Sequence, residues 1–136
     1  MRKRPSEHVT WSELACHDED RTPYPKEWEL DRLPELMRAF ERVREICGFP
    51  LLINSAYRTR TYNGRIGGAF RSQHIEGRAL DLRPSTGSAD LYKLREAAGK
   101  ARDEGLLRGI GYYPTFVHID TRPGKNATWR GGRSEN

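Results

Sequence analysis

Gly109-Ile110-Gly111-Tyr112-Tyr113-Pro114-Thr115-Phe116-Val117-His118-Ile119-Asp120-Thr121 holds two short runs of strand-forming residues on either side of Pro114-Thr115. The pattern predicts a hairpin, residues 109–113 against 116–121, turned at the proline. Residues two apart on a strand share a face, so His118 and Asp120 point one way and Val117 and Ile119 the other. Two more strands read upstream. Residues 50–55 form a short apolar run ending in polar residues, and residues 79–83 alternate.

Helices fill the intervals. Leu30, Leu33, Met37, Phe40, Val43 and Ile46 recur every three or four residues, and Gly48 follows as a stop. This predicts an amphipathic helix over about 32–47, with Pro34 in its first turn. Ser88 reads as the cap of a second helix with a stripe of Leu91, Leu94, Ala98 and Ala101, ended by Gly105. Thr10 and Glu13 resemble a capping box for a short helix from Trp11 to Cys16. Residues 17–29 read as a loop, and 56–73 as a longer one with some helical turns. Residues 1–8 and 131–136 read as flexible ends, and the chain after Trp129 as frayed. The sum is a single α+β domain over 1–136, a small and mainly antiparallel sheet flanked by helices.

The chain has 136 residues, 24 Lys+Arg against 19 Asp+Glu, a formal charge of +5, and 10% aromatic residues. That length suits one domain, and so many aromatics argue against disorder. No apolar run reaches the ~20 residues of a membrane helix. Residues 1–8 carry the charges of a signal peptide without its apolar stretch, so the expected location is cytoplasmic, or the cell wall after release as a phage or prophage protein. Cys16 and Cys47 cannot build a disulfide framework and read as buried thiols. The positive charge suits nucleic acid and equally an anionic wall polymer; with no nucleic-acid-binding signature beside it, nucleic acid is the weaker reading.

The chemistry concentrates in Ser72-Gln73-His74-Ile75-Glu76-Gly77-Arg78-Ala79-Leu80-Asp81. Gly77 permits a sharp turn between an imidazole and a carboxylate seven residues on, and Ala79 keeps the strand face open beside Asp81. His118, on the polar face of the hairpin, supplies a third donor. Together His74, Asp81 and His118 make a three-ligand set for one Zn²⁺ with a position free for water, the layout of a catalytic site. Spacing alone leaves open the alternative of hydrogen-bonded surface histidines. His17, beside Cys16 and Asp18, has no further ligand nearby in sequence.

Ser-x-His-x-x-Gly-x-Ala-x-Asp followed by Phe-Val-His-Ile-Asp resembles the zinc D-alanyl-D-alanine carboxypeptidases and related peptidoglycan endopeptidases, which share a fold with the Hedgehog signalling domain. Trp11-Ser12-Glu13-Leu14, Asn54-Ser55-Ala56-Tyr57-Arg58-Thr59 and Gly109 to Pro114 also resemble family segments, in family order, over residues 9–130. The resemblance implies zinc at His74, Asp81 and His118, and Arg58 facing the site to hold a substrate carboxylate or an oxyanion. Arg60 and Arg65 read as solvated, and Ser72 and Gln73 as lining a substrate groove. The implied activity is hydrolysis of peptidoglycan stem peptides by metal-activated water, in a monomer without membrane or nucleic-acid partners.

One position departs from the family. Several relatives carry an acid three residues before the last histidine, and this chain has Thr115 there. Asp120 is then either the general base or the group that orients the His118 ring. The same departure keeps a second reading open: a non-catalytic, zinc-stabilised wall-binding or phage structural module.

Overall fold

The structure, a computed structural model, describes residues 2–132. Five strands, β1 at Leu51–Ser55, β2 at Ala79–Pro84, β3 at Gly109–Tyr112, β4 at Val117–Asp120 and β5 at Ala127–Arg130, form one sheet. Their order is β1-β2-β4-β3-β5. The first four pair antiparallel, and β5 runs parallel to β3 at the edge. The fold is α+β, as the hairpin and helix patterns predict.

Four helices accompany the sheet: α1 (Trp11–Leu14), α2 (Arg32–Cys47), α3 (Arg60–Arg65) and α4 (Leu91–Asp103). Thr10 and Glu13 close the reciprocal capping box of α1. In α2 the buried stripe is Leu33, Leu36, Met37, Phe40 and Val43, and Gly48 ends the helix at φ +79°. Leu30 is not part of that stripe. It precedes the capping Asp31 and is 93% exposed. Ser88 does not cap α4 either: Ser88–Asp90 forms a 3₁₀ turn, and no side-chain hydrogen bond caps the helix.

Alternation divides the sheet chemically. Leu80, Leu82, Ile110, Val117 and Ile119 enter the core with the apolar sides of α2 and α4. Each fully buried aliphatic side chain there contributes about 1.5–3 kcal/mol. The opposite face is polar and holds the site. The stretch read as an N-terminal arm makes specific contacts: Arg2 lies 3.6 Å over the Trp11 ring, Ser6 Oγ donates to Glu41 at 2.6 Å, and Val9 is fully buried.

The strand after Asp120 was not expected. Ala127–Arg130 forms β5, although fraying is expected after Trp129. Four residues behind a Pro-Gly turn carry no periodicity of their own, and their backbone partners lie on distant β3. Residues 133–136 of the expected flexible end lie outside the described residues.

Candidate metal centre

A single cross-strand row organises the polar face. Ser55 pairs with Asp81, Asp81 with His118, His118 with Gly111, and Gly111 with Trp129. Paired residues on neighbouring strands point the same way, so Asp81 and His118 are brought together by register alone. Their contact is 3.0 Å, from His118 Nδ1 to Asp81 Oδ1. Gly111 lets the row close on its far side. A Cβ there would strike the Trp129 indole, which crosses the glycine to lie 5.0 Å from the His118 ring.

His74 arrives from a loop. Gly77, at φ +69° and packed against Trp28, turns the chain from that loop into β2, and Tyr24 Oη donates to its carbonyl at 2.7 Å. The loop is tied to the end of β1 by Arg58 N–H donating to the His74 carbonyl at 3.1 Å. His74 Nδ1 lies 2.6 Å from the Ala56 carbonyl, which can only accept, so that nitrogen holds the proton. The Nε2 lone pair then faces inward, 3.1 Å from Asp81 Oδ2, and has no hydrogen-bond partner.

That orphan tests whether the residues fit a metal. With the ring neutral and its proton on Nδ1, that lone pair faces a carboxylate oxygen in a buried place. The conflict is relieved by a cation that both can bind. Ligand atoms of His74, Asp81 and His118 all lie within 4.8 Å of one another, and the two imidazoles meet edge to face at 5.2 Å. Two nitrogens and one carboxylate oxygen suit zinc better than calcium or magnesium. Burial lowers the His74 pKa and keeps it in the neutral, ligating form. Burial opposes charge on Asp81, but His74 and His118 hold its carboxyl well below the usual range.

Behind His118 stands Asp120. His118 Nε2 donates to Asp120 Oδ2 at 2.7 Å, and burial of the ring is outweighed by its bonds to Asp120 and Asp81, which push its pKa up to about 9, so an ion binding at Nδ1 displaces a proton from that nitrogen. Asp120 is fully buried in a slot between Ala79 and Gly109, its partners on the flanking strands, and a Cβ on Gly109 would strike its carboxylate. Arg122 grips both oxygens: Nε donates to Oδ1 at 2.9 Å, NH2 to Oδ2 at 2.7 Å, and its backbone N–H to Oδ1 at 3.1 Å.

Arg58 is buried at the cleft wall. Its Nε donates to Ser55 Oγ, NH1 to Asn63 Oδ1 and NH2 to Asp81 Oδ2 at 3.3 Å. Ser72 and Gln73 line the same cleft of about 640 Å³, and Ser72 Oγ also accepts from the His74 N–H at 3.2 Å. Thr115 lies in the exposed hairpin turn. His17 is exposed and joins neither group of potential metal ligands among the described residues. Ser55, Asn63, Arg122 and Trp129 went unread as site residues. Arg122, two residues past Asp120, was the one with a local signal.

A sheet that presents Asp and His, with a second His brought in by a loop, at the floor of an open cleft has the layout of a single-metal hydrolase centre. The chain belongs to the peptidase M15 family, whose model matches residues 7–120. It is 36% identical over 91 residues, 65% of its length, to a protein of Haemophilus influenzae named "Probable peptidoglycan L,D-endopeptidase MepK", covering 43% of that relative. Over 82 residues, 59% of its length, it is 33% identical to "Zinc D-Ala-D-Ala carboxypeptidase" of Streptomyces albus G, covering 30% of that protein. The chain thus spans less than half the length of either curated relative.

Proposed function

We propose that this chain is a zinc-dependent peptidase that hydrolyses peptide bonds of bacterial peptidoglycan, of the D-Ala-D-Ala carboxypeptidase or murein endopeptidase type. The observation that carries the reading is the unpartnered Nε2 of buried His74 against Asp81, opposite His118. The names of both relatives support the substrate class.

His74 Nε2, an Asp81 oxygen and His118 Nδ1 would hold the ion. When bound, zinc supplies Lewis acidity that polarises a carbonyl and brings the pKa of a coordinated water towards ~7. The chain's own residues do the rest. Ala56 fixes the His74 tautomer. Asp120, with both oxygens engaged by Arg122 and His118, orients the His118 ring and keeps Nδ1 aimed at the ligand cluster. That occupancy favours the orienting role over the general base. Arg58 is locked by Ser55, Asn63 and Asp81, and its two remaining N–H groups can hold a carboxylate or a developing oxyanion without reorganising. Ser72 and Gln73 would contact the substrate backbone.

Among the described residues Asp81 is the one carboxylate lining the cleft. That favours, as a second reading, a zinc-stabilised wall-binding module. Incubation of the purified chain with peptidoglycan and with a D-Ala-D-Ala peptide, with and without chelator, separates the two by mass spectrometry. Chelator-sensitive products are expected; binding without any product would leave the module.

A further inference from the structure

Beside the cleft runs a second groove of about 540 Å³, and the two share Arg71, Ser72 and Gln73 as a common wall. Its cations are Arg32, Arg60, Arg71 and Arg78, against the single carboxylate of Glu76. Arg32 is already engaged, donating to the Glu76 carbonyl at 2.7 Å and its carboxylate at 3.3 Å. Arg60, Arg71 and Arg78 form no ion pair with any described residue. Phe70, on the same loop, is 79% exposed, with the Arg60 guanidinium 5.9 Å from the ring centre.

Three guanidinium groups without a carboxylate partner share one concavity, and their mutual repulsion, screened by solvent, is offset in part by the Arg60 contact with Phe70. An anionic ligand relieves that cost. The wall between the grooves says which anion. Gln73 lines both the cleft and the basic groove, so a peptide passing from one into the other crosses it. Continuity with the cleft points to the cleaved chain itself rather than to a separate polymer.

We propose that the Arg60–Arg71–Arg78 groove binds a carboxylate of the substrate peptide lying beyond the cleaved bond, and so selects acidic over amidated stem peptides. The inference rests on the peptidase reading above. An extended peptide crosses Gln73, places its reacting carbonyl at the ligand cluster, and sets an internal carboxylate among the free guanidiniums beside Phe70.

Two stem peptides ending in D-Ala-D-Ala test it, one with internal carboxylates free and one with them converted to carboxamides. Binding to the full chain is read by fluorescence anisotropy in chelator, and kcat/KM in the presence of zinc. The acid form should bind about tenfold tighter and show a similar advantage in kcat/KM, carried by KM. In the double variant Arg60→Gln/Arg78→Gln the preference should shrink to within about twofold, with kcat unchanged. Equal affinity of the two peptides for the parent chain, or equal weakening of both in the variant, would overturn the proposal. So would a single-stranded oligonucleotide that binds tighter than the acid peptide and loses affinity in the same variant. Acid preference without cleavage of either peptide supports the groove while removing the peptidase reading.

Discussion

Among the described residues two clusters bring histidine and carboxylate atoms within 4.8 Å of one another, His74–Asp81–His118 and Glu7–His8–Glu41. On ligand spacing they look alike. They differ in what each atom already does. Side-chain exposure is 3%, 3% and 8% in the first cluster, against 82% for Glu7, 33% for His8 and 25% for Glu41. The Glu41 carboxylate is spent on Ser6 Oγ at 2.6 Å, His8 N–H at 2.9 Å and His8 Nδ1 at 2.6 Å. It docks the N-terminal segment onto α2. In the sheet cluster one buried lone pair has no partner. An unmet valence in a dry place, rather than proximity, separates a metal centre from a bracket.

The sharpest way to break this comparison is to count metal. Elemental analysis should find about one zinc per chain in the parent and in Glu41→Gln, and less than about a tenth of that in Asp81→Asn. Hydrolysis should vanish with the ion. Metal lost from Glu41→Gln and kept by Asp81→Asn would reverse the assignment. Chelator should also lower the melting temperature of the parent and of Glu41→Gln alike, as expected for an ion held by the sheet cluster of the folded chain.

A middle-sized effect belongs to Asp120. Asp120→Asn should weaken zinc affinity about 10- to 100-fold without abolishing the site, as measured by competition with a chelating dye. Gly109→Ala should act in the same direction, because a methyl group there displaces the Asp120 carboxylate from beneath His118. A general base would behave differently: Asp120→Asn would then hold zinc normally and lose turnover alone.

Much of this was legible because it is local. The period of α2, the capping box of α1 and the alternation of β4 are written in neighbouring residues, and Ser-x-His-x-x-Gly-x-Ala-x-Asp is contiguous. What stayed hidden depends on pairs far apart. Trp129 reaches His118 only because β5 lies parallel to β3 and Gly111 stands between them. Ser55 holds Arg58 because β1 carries an irregularity between Ile53 and Ser55 that sets Ser55 opposite Asp81. Leu30 misled for the opposite reason: its spacing fits the stripe, but the chain is not yet helical there. Asp120 could be placed on the right face from the sequence, yet choosing between its two roles needed the Arg122 bonds.

The smallest effect probes the bracket itself. Burial alone would raise the Glu41 pKa, but hydrogen bonds from His8 and Ser6 outweigh it and lower the value from 4.5 in the folded chain. A carboxylate lowered in this way adds stability that is present above its unfolded value and fades as pH falls through the folded one. Glu41→Gln should therefore melt below the parent at neutral pH, by up to about 4 °C for a part-exposed pair contributing under about 1 kcal/mol. The gap should close as pH falls below about 4.5, once both proteins carry a neutral side chain at this position. Melts in chelator across that range read the bracket without the metal centre. A gap that persisted or widened into acid would mean that Glu41 holds the N-terminal segment by shape rather than by charge. The two clusters would then differ more than their ligand atoms suggest, one depending on ionised groups and the other not.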